Sequence, residues 1–407
     1  MVVISNGFSK VHLSLAAAEA NRRGLLTAFL TGAYPTPPLR ALLALPGLRS
    51  NKKLNRLIAR GEQIDDTLVR ALFFPELVHQ IGRRFKNFAM ILSALRMYSR
   101  AVIPQVSRAS ADGARIYHYM SGYGGDSVTV AKDLGLVALC DHASVHPAVV
   151  EEFVGRLGRM REFWRKDVQR DLENADAVLV NSAFVESTFK LAGFDCSRVH
   201  VNYLGVDDAF LRQVPHREGR GEGDLRLLFA GHFNKWKGAD IIIDALRRLE
   251  GLPWRFEIAG RLHPQIVMEN PSFFSDPRVR TLGFLSRNQL ATVMSRADVL
   301  LFPSRAEGSA RVVFEALACG CYVVTTPNSG SIVKDGVHGS LVPPGDILAV
   351  AGAIEDAHRD RQRTAEIGRQ NADLVRSKYR QCDYGDKLES LYKKLLGNER
   401  KKDVPAC

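Results

Sequence analysis

Cysteine motifs are missing from this 407-residue chain. Its six cysteines (Cys140, Cys196, Cys319, Cys321, Cys382 and Cys407) make no CxxC pair and have no histidine at zinc spacing. Their scatter excludes a disulfide framework and a zinc module, and reads as reduced, intracellular thiols. Long apolar runs are missing as well: none approaches the ~18 residues that span a bilayer. The opening run Met1-Val2-Val3-Ile4-Ser5-Asn6-Gly7 has neither the basic leader nor the apolar stretch of a signal peptide, and reads as a first strand entering a loop. The expectation is a cytoplasmic protein, at most peripheral at the cytoplasmic face of a membrane. There is no internal sequence repeat. No recognised nucleic-acid motif accompanies the basic charge, so nucleic acid is not expected as a partner.

What is present is ordinary globular composition, 46% hydrophobic and 25% charged, in a chain long enough for two cores. The net charge of +12 is placed unevenly. Residues 1–110 hold 16 Lys and Arg against 5 Asp and Glu, an excess of eleven. Such a field attracts anionic lipid headgroups or a phosphorylated acceptor, unless it is simply a solvated basic surface.

Two α/β halves follow from the pattern. VVIS, a loop over 6–10, the amphipathic VHLSLAAAEANRRG and the strand LLTAFLT open the first half. ARIYHYM (114–120), LVALCD (136–141) and AVLVNS (177–182) continue it as short apolar runs between helical stretches. Alternation of this kind predicts a parallel, doubly wound sheet. Residues 35–110 break the rhythm and read as a helical insertion. Within it RRFKNFAMILSALRMYSRAVI carries Phe85, Phe88, Ile91, Leu92 and Leu95 at helical spacing beside Arg83, Arg84, Lys86, Arg96 and Arg100. That helix could lie on a membrane surface or dock on the sheet; docking is favoured, because apolar stripes usually face a core. The polar, glycine-rich 215–224 reads as a linker after a first domain over 1–214. LRLLFAG, WRFEIAG, VRTLGF, DVLLFPS and YVVTT then mark a second α/β domain over 225–375. An amphipathic helix at 376–396, expected to pack back on the first domain, and a tail at 397–407 complete the chain.

The most informative segment is Ser304-Arg-Ala-Glu307-Gly308-Ser309-Ala310-Arg311-Val-Val-Phe-Glu315-Ala-Leu-Ala-Cys-Gly320. It follows the strand DVLLFP, so Glu307 falls in the loop at the carboxyl end of a parallel strand, where open α/β sheets bind ligands. A helix starting near Ser309 would aim N–H groups and a partial positive charge at that crevice, which suits a diphosphate. Eight helical residues rise about 12 Å, so Glu307 and Glu315 cannot share a proton as a dyad. Glu307 meets groups in front of the helix. Glu315, about two turns in, meets something along its side, and a ribose diol suits a carboxylate acceptor.

EGSARVVFEALACG resembles the E-x7-E signature of family-four retaining glycosyltransferases, the glycosyl transferases of group 1. Around it, Phe229-Ala-Gly231-His232-Phe-Asn-Lys-Trp-Lys237-Gly238 resembles that family's strand, glycine loop and Lys-Gly. ADAVLVNSAFVESTFKLAG with VHVNYLGVDDAF resembles the end of its first domain, and 324–341 the segment after the signature. The likeness covers about residues 114–350, the first strand and loop less closely, and 35–110 hardly at all. It implies the GT-B fold, two Rossmann-like doubly wound domains facing a cleft. It implies roles as well: Lys237 on the donor diphosphate, Glu307 on the donor sugar, Glu315 on the ribose, and Phe284 and Leu285 after Gly283 at the nucleobase. Gly308, Ser309, Ala310 and Arg311 would line the phosphates. His232 stands where the family usually has Arg, with Arg311 or Lys235 as candidates to compensate. Gly7 sits where the first domain's glycine loop approaches the phosphates, and His142, with His146 as runner-up, where a histidine faces the cleft.

The resemblance implies retaining transfer of a hexose, such as mannose or glucose, from a GDP-sugar or UDP-sugar to a glycan or lipid-linked acceptor in cell-surface polysaccharide or glycoconjugate synthesis. No Asp-x-Asp ends a strand in the second half, so metal-independent chemistry with no cofactor is expected. A nucleotide-sugar epimerase and a non-catalytic nucleotide-sugar-binding protein are the rival readings. The anionic membrane surface, met through 35–110, is a further candidate partner.

Overall fold

The computed structural model describes residues 1–8, 12–43, 55, 57–155, 158–215 and 223–402. Most of the expected linker (216–222), the end of the tail (403–407) and part of the first loop (9–11) lie outside the described residues.

Seven strands build the first sheet: β1 (Val2–Ser5), β2 (Leu26–Thr31), β3 (Val69–Ala71), β4 (Ile116–Met120), β5 (Val137–His142), β6 (Ala177–Val180) and β7 (Val199–Val201). Six build the second: β8 (Leu225–Ala230), β9 (Trp254–Ala259), β10 (Val279–Gly283), β11 (Val299–Phe302), β12 (Tyr322–Thr325) and β13 (Gly339–Leu341). The spatial orders are β3-β2-β1-β4-β5-β6-β7 and β10-β9-β8-β11-β12-β13. Neighbouring strands run parallel, so helices must cover both faces, and β1, β5, β6, β11 and β12 are buried along their whole length. Each sheet reverses its winding once, between β1 and β4 and between β8 and β11. Those switch points open a crevice at the strands' carboxyl ends.

The stretch 35–110 is not the all-helical insertion expected of it. It contributes β3, an edge strand paired to β2, and so continues the alternating rhythm. The single helix expected over 83–103 is two. Phe73–Arg84 ends, Lys86 turns through a φ of 52°, and Asn87 accepts a hydrogen bond from the Met90 N–H to start Phe88–Ala111. The second helix docks on the sheet through Ala94, Leu95, Tyr98, Val102, Val106 and Ala109. The exposed stripe belongs to the first: Phe74 and Leu77, with Phe85 beyond its end, are 64%, 56% and 72% exposed. The helix expected at 376–396 is also two pieces, Arg361–Lys378 and Gln381–Lys402. At the break the chain crosses between domains, where the Val206 N–H donates to the Tyr379 carbonyl and the Gln381 N–H to the Val206 carbonyl, both at 2.8 Å. Gln381–Lys402 then buries Tyr384, Leu388, Leu391, Tyr392 and Leu395 against the first sheet. No helix among the described residues is long and apolar enough to cross a membrane.

Candidate functional site

At the second domain's switch point, the ends of β8, β9 and β10 and the helix Arg311–Ala318 enclose a cavity of about 470 Å³. Gly231, His232, Arg261, Phe284, Leu285 and Glu315 are among its lining residues. The cavity thus brings together three groups of the expected site that are far apart in sequence: His232, the Phe284–Leu285 pair and Glu315. Phe284 is 91% exposed, a large apolar ring left in water at the mouth of a cavity. Glu315 lines the same cavity. Burial raises its carboxyl above the usual range, the charges of Arg311 and Arg287 oppose that, and Asp207 adds to it. The Glu315 side chain is 15% exposed and Arg287 stands 3.7 Å away, so the carboxylate can still accept from a diol in the cavity.

The helix begins later than expected. Arg311 is its first residue, so Glu315 stands little more than one turn in, not two. The reason lies in the loop: the Glu307 N–H donates to Asn328 (2.8 Å) and the Ala310 N–H to Ser329 (3.0 Å), which holds the stretch irregular until Arg311. Ala310 brings no capping side chain to the first turn, so the N–H groups there receive nothing from the cap. Lys237 and Glu307 meet in an ion pair of 2.9 Å, with Lys237 Nζ 5.1 Å from the centre of the Phe302 ring. Gly238 makes that approach possible: its φ is 79°, and a Cβ there would lie 2.3 Å from the Pro303 carbonyl. Two polar atoms in this region, His232 Nε2 and Ser309 Oγ, are buried without a hydrogen-bond partner. Native structures rarely leave such atoms empty, and a ligand is one way to fill them.

His232 is held neutral. Burial lowers its pKa, and the charges of His263, Arg261 and Lys237 lower it further, while Nδ1 meets Asn234 at 3.1 Å. Lys235 does not compensate for the missing arginine, because it ion-pairs with Glu269 at 3.0 Å on the surface. Arg311 is exposed at the helix start, and its charge acts on both Glu315 and His12.

The first domain closes against this loop. Gly308 lies on the end of β5 so tightly that a Cβ there would sit 1.9 Å from the Ala143 carbonyl oxygen. Ser182 Oγ donates to the Gly308 carbonyl at 2.5 Å. His142 is buried, with Nδ1 2.8 Å from Ser121 Oγ and Nε2 3.2 Å from the Val145 carbonyl. Both ring nitrogens are therefore engaged inside the protein, and burial holds its pKa at about 4. His146 is engaged too, accepting from the Ala148 N–H at 3.1 Å. Gly7 has a reason of its own. Its φ is 75°, the Tyr123 ring would lie 2.7 Å from a Cβ, and its N–H donates to Tyr98. That N–H is not directed at a phosphate.

Residues 224–360, the second domain with this cavity, match the family described as glycosyl transferases group 1. The second domain is thus similar to the group 1 glycosyltransferases. Its curated relatives agree. A D-inositol 3-phosphate glycosyltransferase of Xylanimonas cellulosilytica is 28% identical over 287 residues, 63% of this chain and 66% of the relative. One of the same name from Mycobacterium tuberculosis is 30% identical over 202 residues, 46% of this chain and 42% of the relative. The chain thus aligns with two thirds or less of these relatives' lengths.

Among solved structures, Anabaena HepE in complex with UDP and glucose superposes with a TM-score of 0.63 at 16% identity, covering 97% of this chain and 100% of that one. Sucrose-phosphate synthase of Thermosynechococcus elongatus gives 0.66 at 19%, covering 98% and 100%. The architecture is accordingly GT-B, two Rossmann-like domains across a cleft. Among the described residues, no three His, Cys, Asp or Glu side chains gather as metal ligands.

Gly260 and Arg261 of this cavity, and the His12–Asp141 pair of the first domain, escape the sequence pattern. Arg261 and Gly260 line the cavity from the end of β9, and a strand end at the switch point was the available signal. His12 and Asp141 meet at 2.5 Å across the first domain's crevice. The sequence pattern places His12 within an amphipathic helix, whereas it is the residue before Leu13–Arg22, at the end of the β1 loop.

Proposed function

We propose that the protein transfers a hexose, with retention of configuration, from a nucleotide-diphosphate sugar to an acceptor held by the first domain. The observation that carries this reading is the cavity lined by exposed Phe284, Glu315 and His232, whose Nε2 is buried without a partner, as is Ser309 Oγ in the loop before the helix. A base on Phe284, a ribose on Glu315 and a diphosphate toward His232, Ser309 and the helix start at Arg311 fill these needs in the order a nucleotide presents them. Glu307, paired to Lys237, would face the donor sugar. The departing diphosphate needs positive charge and oriented dipoles, which Lys237, Arg311 and the uncapped helix start would provide. Because His142 has both nitrogens engaged, the departing phosphate is the better acceptor for the proton of an attacking hydroxyl on the same face.

A structural neighbour holding UDP and glucose supports a UDP-sugar donor, with a GDP-sugar as the second candidate, and relatives named as D-inositol 3-phosphate glycosyltransferases support a transferase rather than an epimerase. Calorimetric titration with UDP, GDP and ADP tests the donor site. Binding of UDP or GDP is expected, and failure of all three would refute the reading. The acceptor is a glycan, a lipid-linked sugar or a phosphorylated polyol. A peripheral position suits a lipid-linked acceptor: Phe74, Leu77 and Phe85 are exposed next to Arg83, Arg84 and Lys86. Pelleting with anionic but not neutral vesicles is the expected result; pelleting with neither would remove the membrane from the proposal.

A further inference from the structure

Four side chains from four separate elements form one buried polar line in the first domain. His12 Nε2 lies 2.5 Å from Asp141 Oδ1, Asp141 Oδ2 lies 3.2 Å from His118 Nε2, and His118 Nδ1 lies 2.8 Å from the Tyr392 hydroxyl. His118 is on β4, Asp141 on β5, and Tyr392 on the helix that returns from the second domain. His118, Asp141 and Tyr392 are almost wholly buried, and only His12, at the crevice end, keeps 11% of its side chain exposed. Nothing in the roles assigned to the donor site uses this line.

The line has a direction. An ionised Asp141 accepts from both rings, which fixes the His12 proton on Nε2 and orients the imidazole. The other nitrogen, Nδ1, has no hydrogen-bond partner among the described residues. In a neutral His12, Nδ1 would present a lone pair and repel an anion; with a proton there it becomes a charge-assisted donor. Burial opposes that proton and the charge of Arg311 opposes it further. The charge and hydrogen bond of Asp141 outweigh them, and the His12 pKa is raised. Arg311 opens the second domain's helix in the phosphate region, beside the Gly308 contact that joins the domains. Two cations held across a crevice repel each other unless an anion lies between them.

We propose that His12, held and oriented by Asp141, is the first domain's cation for the donor diphosphate and meets it opposite Arg311. His12 would offset the charge lost where neutral His232 replaces arginine, and it would do so only when the domains are closed. His118 and Tyr392 are positioning residues that tie this cation to the returning helix. The inference rests on the donor reading above, and its test separates the two.

The test compares full-length wild-type protein with His12→Gln, which keeps the size and a hydrogen bond to Asp141 but not the charge. Each is titrated with the nucleoside diphosphate that binds the wild type and with the matching monophosphate, which lacks the phosphate nearest the sugar. The expected result is a loss of about ten- to hundredfold in diphosphate affinity with at most a twofold change for the monophosphate. Wild-type diphosphate affinity should also weaken as pH rises through the range of the His12 imidazolium, and His12→Gln should lack that component. The groups facing His12 in this profile are Asp141, His118 with Tyr392 behind it, His142 and Arg311. Equal diphosphate affinity in the two proteins, or an equal loss for both nucleotides, would overturn the inference. Failure of the wild type to bind any nucleotide would instead overturn the donor reading. Asp141→Asn should reproduce the selective loss, with thermal melting to confirm that it folds.

Discussion

Gly308→Ala is the most direct probe of how the two domains cooperate. The glycine is required sterically: its Cβ would lie 1.9 Å from the Ala143 carbonyl oxygen and 3.2 Å from Asn181 Nδ2. A methyl carbon is comfortable at about 3.5 Å from a backbone atom, so the loop must retreat by more than 1 Å. Both sides of the contact are backbone, so no side chain can rotate away. Overpacking of this kind costs about 1–3 kcal/mol, and losing the Ser182–Gly308 hydrogen bond adds about 1 kcal/mol. The closed arrangement should therefore be disfavoured by about 2–4 kcal/mol, a thirtyfold to several-hundredfold shift toward separated domains. Each domain keeps its own core, so thermal stability should change little by comparison. The cavity residues all belong to the second domain, so nucleoside monophosphate affinity should stay within about twofold. Small-angle scattering should report a larger radius of gyration, and kcat/KM for sugar transfer should fall by at least about thirtyfold. An unchanged scattering profile together with an unchanged rate would refute the claim that this contact holds the cleft closed.

Glu315→Gln should separate binding from stability. Its folded pKa is raised by burial, so the charged form costs stability that is present below the unfolded carboxylate range and lost as pH rises through the folded value. The variant should melt higher than wild type at pH 7 yet bind nucleotide about tenfold more weakly, since a neutral amide replaces the charged acceptor. A variant that binds as tightly as wild type would exclude the ribose role. His142 and His146 carry the opposite sign. Both are depressed to about 4, chiefly by burial. The stability they contribute is present above about pH 6.5 and is lost as pH falls toward 4, by up to about 3 kcal/mol for fully buried His142. Denaturant midpoints measured from pH 7 to 4 should show this acid limb, and His142→Gln should flatten it; an identical limb in the variant would show that other groups cause it.

Long periodic elements could be read from sequence and short edge elements could not. β8, β11 and β12 announce themselves because a parallel strand covered on both faces must be almost wholly apolar, and β9 by the alternation of Trp254, Phe256 and Ile258 with Arg255 and Glu257. β3, β7 and β13 have three residues each, too few to show a period, and exist because a neighbour offers an open edge. The break at Lys86–Asn87 was hidden because apolar residues continue at helical spacing through it. The cap is a single asparagine inside a basic stretch.

The sequence alone determined the α/β class, the two halves and the order of donor groups along the second half. Gly231, Lys237 and Glu307 follow strand ends there, with Glu315 on the helix that comes next, and strand ends in a doubly wound sheet face the crevice. Only the tertiary structure decided where the opening glycine and the first domain's histidines act. Gly7 answers to a tyrosine more than a hundred residues away, and His142 is spent on its own loop. His12, Asp141, His118 and Tyr392 have no spacing that links them. They meet because β4 lies beside β1 at the switch point, β5 lies beside β4, and the returning helix covers that sheet. Charge placement in a crevice depends on burial and on distance through space, which a linear pattern carries only where it repeats.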